Sequence, residues 1–183
     1  MEFILNLDGN ILLWIQEYLR EDFLNPFVIF ITSLGNGGLV WIAASVFMLC
    51  SSSTRKAGVM SILALILSFV INNLILKNAV ARTRPWIDVE GLKVLIKKPW
   101  DYSFPSGHTA SSFAAAVVMY KTLPARFGIP AVILATAISL SRLYIGVHYP
   151  TDVLAGAQSG IIIGLVICHV MANYQILENR KFF

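Results

Sequence analysis

Apolar residues run along this chain in blocks of membrane-crossing length. A helix rises 1.5 Å per residue, so about 20 apolar residues cross a hydrocarbon core of about 30 Å. Residues 57–76 and 153–172 meet that length without an Asp, Glu, Lys or Arg. Residues 109–123 and 127–145 are shorter or less clean but still mostly apolar. The stretch 24–50 is interrupted at Leu34-Gly35-Asn36-Gly37-Gly38, and glycines break helices. It predicts a short helix leading into a crossing at about 37–50. The pattern therefore predicts an all-α fold, a polytopic transmembrane helix bundle of about five crossings.

Residues 3–22 read differently. Ile4, Leu5, Ile11, Leu12, Trp14, Ile15 and Leu19 are mixed with Asp8, Asn10, Gln16, Glu17 and Arg20. That mixture suits an amphipathic helix lying in the interface over 1–22, with a helix packed on the core as its competitor. No basic run precedes the first apolar stretch, so a cleaved signal peptide is not expected. The expected organisation is one integral membrane domain over 1–183.

Composition agrees with the pattern. Hydrophobic residues make up 57% of the 183 and charged ones 13%, with a mean hydropathy of +0.72. A soluble domain carries about 25% charged residues, so this chain lacks the polar surface to cover itself in water. Cys50 and Cys168 both lie in apolar runs, where a thiol acts as a small hydrophobe. The net charge of +4 would in other settings suggest nucleic acid, but its distribution does not.

Arg55 and Lys56, Lys121 and Arg126, and Arg180 and Lys181 fall at three ends that share one side if there are five crossings. The bias of Lys and Arg toward cytoplasmic loops makes that side the cytoplasm. Residues 77–108 then lie on the outer side, yet carry Lys77, Arg82, Arg84, Lys93, Lys97 and Lys98. Six cations against the usual bias point to an anionic ligand.

Three clusters converge on that outer face. Lys77, Arg84 and Pro85 open the outer loop 77–108, and Pro105-Ser106-Gly107-His108 closes it. Ser141, Arg142, His148 and Asp152 span a second segment, 141–152. Lys77, Arg84 and Arg142 are fixed cations, and Arg presents a planar fork matched to phosphate oxygens; each alone is equally a snorkelling anchor. Ser106 stands where a helix should start, and the unpaired N–H groups there form an anion site that Gly107 leaves approachable. His108 on the first turn would face the same anion and donate a proton to a leaving oxygen. Asp152, four positions after His148, suits an acid that orients an imidazole and leaves its other nitrogen free to attack. Singly these are a helix cap and a surface histidine; together they are hard to explain as separate anchors.

These residues resemble the type 2 phosphatidic acid phosphatase superfamily. The signature is matched over roughly 77–152: Lys77 with six residues before Arg84-Pro85, then Pro105-Ser106-Gly107-His108, then Ser141-Arg142 with five residues before His148 and three before Asp152. The resemblance implies a membrane phosphatase acting on a lipid phosphate or diphosphate at the extracytoplasmic face of the cell membrane. In it His148 attacks phosphorus to give a phosphohistidine, Asp152 orients it, and His108 protonates the departing oxygen. Lys77, Arg84, Ser106, Gly107 and Arg142 hold the phosphate. Neither metal nor other cofactor is expected; the outer face offers no carboxylate cluster of the kind Mg²⁺ requires. The favoured substrate is undecaprenyl diphosphate, yielding undecaprenyl phosphate, with phosphatidylglycerophosphate or phosphatidic acid as the alternative.

Further features stay open at this level. Lys93, Lys97 and Lys98 suit either a second phosphate or anionic headgroups. Asn72 and Asn73 either position Lys77 or bond between helices. The related vanadium haloperoxidases are soluble, which this composition opposes. A small anion transporter would place ionisable residues inside its spans, and 57–76, 127–141 and 153–168 contain none.

Overall fold

The computed structural model describes residues 2–180, with side chains over 5–173; Lys181, from the third basic end, lies outside the described residues. The chain forms α1 (Glu2–Tyr18), α2 (Asn25–Leu34), a 3₁₀ turn at Asn36–Gly38, and α3 (Leu39–Leu49). Next come α4 (Arg55–Ser68), a π-helical continuation at Phe69–Leu76, α5 (Lys77–Val80) and the short α6 (Pro85–Asp88). Then follow α7 (Gly107–Thr122), α8 (Ala125–Tyr144) and α9 (Pro150–Arg180).

Each predicted crossing corresponds to a helix, and the glycine-rich interruption is real. Gly37 and Gly38 take φ of +58° and +70°, a conformation that side chains resist, and α2 and α3 meet there at 46°. Among the described residues, three helical stretches are long and apolar enough to cross a membrane: Arg55–Asp88, Ala125–Tyr144 and Pro150–Asn173. The bent pair of α2 with α3 makes a fourth if taken as one span.

The expected crossing at 109–123 does not qualify on its own, and its length explains why. At 16 residues, α7 is about 24 Å long and runs between α4, α8 and α9, which cover it. Its inward positions are small: Ala110, Ser112, Ala114, Ala115 and Ala116 are wholly buried. Large side chains point the other way, with Phe27, Phe30, Phe47, Ile133 and Leu154 exposed.

Close approach of α9 to α7 depends on Gly156, Gly160 and Gly164, which recur every fourth residue along one face of α9. A Cβ on Gly160 would lie 2.4 Å from the Ala110 carbonyl oxygen, and one on Gly156 2.7 Å from that of Ser106. This contact matters for function because Ser106 opens α7 beside the start of α9, where the Ser106 N–H donates to the Asp152 carbonyl at 3.1 Å. On the opposite side, Trp41 Nε1 donates to Ser112 Oγ at 2.9 Å and ties α3 to α7.

The amino-terminal helix is partly of the kind expected. Leu5, Leu7, Trp14 and Tyr18 are exposed, as an interfacial helix requires. Its other face is packed, however: Asp8 and Leu12 are buried, and Leu12 meets Leu92 and Tyr149.

Candidate active site

A cavity of about 570 Å³ collects residues from all three sequence clusters. Lys77, Arg84, Gly107, His108, Arg142 and His148 line it. Ser106 and Asp152 are fully buried just behind. All eight predicted residues therefore stand together, six on the wall and two supporting it.

The chain places each one for a local reason. Ser106 is extended (φ −68°, ψ 108°) and caps α7, its Oγ accepting from the Thr109 N–H at 3.4 Å and from the Thr109 hydroxyl at 3.0 Å. Gly107 sits against α4's continuation: a Cβ there would be 3.0 Å from Asn73 Nδ2. Asn73 lies on the cavity wall, whereas Asn72 turns back within its own helix to donate to the Ser68 carbonyl at 3.0 Å, and neither is hydrogen-bonded to Lys77. Arg142, in the last turn of α8, donates to Thr32 Oγ1 at 2.7 Å. Its buried Nε has no hydrogen-bond partner among the described residues and so remains available as a donor.

His148 follows α8 and precedes α9. Arg84 Nη1 lies 3.0 Å from its Nε2. A guanidinium can only donate, so Nε2 accepts and the ring proton is on Nδ1. That nitrogen faces Asp152 Oδ2 at 3.5 Å. Burial, followed by the positive charges of Arg84, Arg142 and Lys77, pushes the imidazole well below its ordinary value. His148 is thus a neutral base with a lone pair on Nε2 and its proton toward a carboxylate.

His108 Nε2 is 3.0 Å from Asn36 Oδ1. The amide oxygen only accepts, so His108 carries a hydrogen on Nε2. Asn36 comes from the glycine-rich turn, and Gly35 is needed beside it: a Cβ there would stand 2.8 Å from His108 Cδ2. The break between α2 and α3 is therefore part of the site's wall.

Three groups at the site were not singled out from the sequence. Asp101 bridges two of the cations: its Oδ2 is 2.5 Å from Lys77 Nζ and its Oδ1 2.6 Å from Arg84 Nη2, while its carbonyl accepts from Arg84 Nε at 2.9 Å. Burial raises the Asp101 pKa, but the Lys77 hydrogen bond and the Arg84 charge outweigh it and hold the carboxyl below its ordinary value. Asn36 is the second. Arg82, counted only as a loop cation, pairs with Asp152 at 2.7 Å and with Asp8 at 2.8 Å. Lys93, Lys97 and Lys98 are exposed and stand apart from the cavity lining.

Much of the remaining cavity wall is apolar. Ile42 of α3 and Ile62, Leu65, Ile66 and Phe69 of α4 and its continuation carry it away from the cations. An anionic head and a hydrocarbon tail would both find partners here.

Comparison with known proteins places the chain in a family. A family model described as PAP2 superfamily matches residues 57–176. Undecaprenyl-diphosphatase of Sulfolobus acidocaldarius is 35% identical over 133 residues, or 73% of this chain and 64% of that protein, so the chain spans just under two thirds of that relative's length. Among solved structures, the PAP2 type phosphatidylglycerolphosphate phosphatase of Bacillus subtilis superposes with a TM-score of 0.78 at 25% identity, covering 94% of this chain and 88% of that one. Aquifex aeolicus LpxE does so with a TM-score of 0.75 at 29% identity, covering 91% and 95%.

Proposed function

From the premise that this chain belongs to the PAP2 superfamily, we propose that it is a membrane lipid phosphatase that hydrolyses undecaprenyl diphosphate to undecaprenyl phosphate through a phosphohistidine. The observation carrying this reading is the single cavity in which three cations and two histidines adjoin an apolar wall from α3 and α4. The 35% identical relative named undecaprenyl-diphosphatase supports the choice of lipid.

In the proposed reaction, His148 Nε2 attacks the terminal phosphorus in line with the bridging oxygen. Arg84 turns from Nε2 to a phosphoryl oxygen as the P–N bond forms and the P–O bond breaks. Lys77, Arg84, Arg142 and the N-terminal amides of α7 hold the equatorial oxygens, where charge develops in the transition state. His108, as the imidazolium that the bound diphosphate's negative charge favours, gives its Nε2 proton to the departing lipid phosphate and is left neutral. Asp152 faces Nδ1–H and offsets the positive charge that the phosphorylated ring acquires. Deprotonated His108 then takes a proton from water as that water attacks phosphorus, releasing inorganic phosphate and restoring His148. The excess of outer-loop cations and the basic ends at Arg55 and Lys56 support a site on the extracytoplasmic side.

The test is phosphate release by purified protein in detergent, with chelator present, from undecaprenyl diphosphate, phosphatidylglycerophosphate and phosphatidic acid. Fastest turnover on the polyprenyl diphosphate is expected, abolished by His148→Ala. Preference for either phospholipid would replace the substrate while keeping the chemistry; a requirement for added divalent metal, or full activity of His148→Ala, would remove the mechanism.

A further inference from the structure

Asp152 is a wholly buried carboxylate with four neighbours. Its Oδ2 accepts from the Tyr149 N–H at 2.9 Å and from the Ser103 hydroxyl, and faces His148 Nδ1 at 3.5 Å. Its Oδ1 is taken by Arg82 Nη1 at 2.7 Å. Arg84 feels the Asp152 charge but makes no hydrogen bond to it, its guanidinium being engaged by His148, Asp101 and the Val147 carbonyl. Arg82 is the cation in direct contact with Asp152, and an uncompensated buried charge is strongly unfavourable.

Arg82 is itself held on three sides. Its Nη2 reaches Asp8 Oδ2 at 2.8 Å, its Nη1 also donates to Thr151 Oγ1 at 2.7 Å, and its guanidinium carbon lies 3.8 Å over the Tyr149 ring. Asp8 closes the circuit: its Oδ1 accepts the Thr151 N–H at 3.1 Å and its Oδ2 the Thr151 hydroxyl. Thr151 stands between His148 and Asp152 in sequence, so Asp8 grips the first turn of α9 and Arg82 at once. Asp8 belongs to α1, outside the residues 57–176 that match the family model.

We infer that Asp8 and Arg82 are a positioning pair for the Asp152–His148 couple: Arg82 offsets the Asp152 charge and, by holding Oδ1, keeps Oδ2 turned toward His148, and Asp8 of α1 holds Arg82 in place. This rests on the phosphatase reading above. The pair touches neither the cavity lining nor the cations that bind phosphate, so it acts on the chemical step and leaves oxyanion binding alone. The amino-terminal helix, with one face exposed and apolar, thereby becomes part of the catalytic apparatus.

Steady-state kinetics on undecaprenyl diphosphate with the full chain in detergent decide the matter, together with inhibition by orthovanadate. Arg82→Gln should lower kcat by roughly 30-fold while KM and the vanadate Ki stay within twofold, and Arg82→Lys should recover part of the loss. Asp8→Asn should lower kcat by roughly fivefold, and the double variant should be no slower than Arg82→Gln alone. Wild-type kcat in Arg82→Gln, a vanadate Ki that rises in step with the loss of kcat, or strictly additive effects would overturn the inference. Should Arg82→Gln not fold, Asp8→Asn decides alone: lowered kcat at constant KM supports the pair, unchanged kcat refutes it. His148→Ala run beside these separates the two claims. If His148→Ala is inactive and Arg82→Gln normal, only the pair falls; if His148→Ala is active, the phosphatase reading falls and takes the pair with it.

Discussion

Asp101 holds the same two cations that an incoming phosphate would need. Replacing it with Asn removes a negative charge from Lys77 at 2.5 Å and Arg84 at 2.6 Å with little change in volume. The carboxylate side chain is 33% exposed, so solvent screens it and each contact is worth about 0.5–1 kcal/mol rather than the value of a buried pair. Two contacts make about 1–2 kcal/mol of competition against an oxyanion, and 1.4 kcal/mol is about tenfold in affinity. Asp101→Asn should therefore tighten orthovanadate inhibition roughly 5- to 30-fold, read as Ki in a phosphatase assay at pH 7. The folded-state pKa of Asp101 lies below its ordinary 3.8, so its charge is present throughout the neutral range and the difference should hold from pH 6 to pH 8. For the same reason its contribution to stability is complete above the ordinary value and fades only as pH falls through the lower, folded one. High salt should narrow the gap between the two proteins. An unchanged or weaker vanadate Ki would refute the reasoning and make Asp101 a strut that positions Lys77 and Arg84.

Other expectations follow from single contacts. Gly160→Ala places a methyl 2.4 Å from the Ala110 carbonyl oxygen and should destabilise by about 1–3 kcal/mol, visible as a lower melting temperature in detergent; an unchanged melting curve would mean that α7 and α9 separate freely. Asn36→Ala removes the acceptor 3.0 Å from His108 Nε2 and should slow turnover about 5- to 10-fold, the worth of one hydrogen bond, with vanadate binding retained. The His148 ring should remain neutral, with its proton on Nδ1, at pH 6, below its ordinary 6.5, because burial and nearby cations disfavour its charged form. Nitrogen-15 NMR of histidine-labelled protein would detect an imidazolium there and so contradict that placement.

The sequence was most informative where the chemistry is concentrated in short, spaced clusters. Lys77, Arg84, Ser106, Gly107, His108, Arg142, His148 and Asp152 could be found because each stands at an end of an apolar block, and alternating helices bring those ends together. Partners that complete the site were hidden for physical reasons. Asp8 lies 74 residues from Arg82, on a helix whose polar residues looked like a solvated face, so nothing local marks it as buried. Asp101 is one carboxylate among the loop's aromatics, and only the folded loop delivers it to Lys77. Asn36 was visible as part of a helix break, but its use against His108 depends on the 46° bend between α2 and α3. Hydropathy also points to a crossing over 109–123, where the helix formed has 16 residues and is too short to qualify as a span on its own.

The central claim is that His148 carries the phosphoryl group. Rapid acid-free quenching of the protein with undecaprenyl diphosphate labelled in its terminal phosphate should trap a protein-bound label that is stable to base, labile to acid and maps to His148. His148→Ala should trap none. Hydrolysis of the lipid at the normal rate with no such label in the wild type, or with the label unaffected by His148→Ala, would contradict the account.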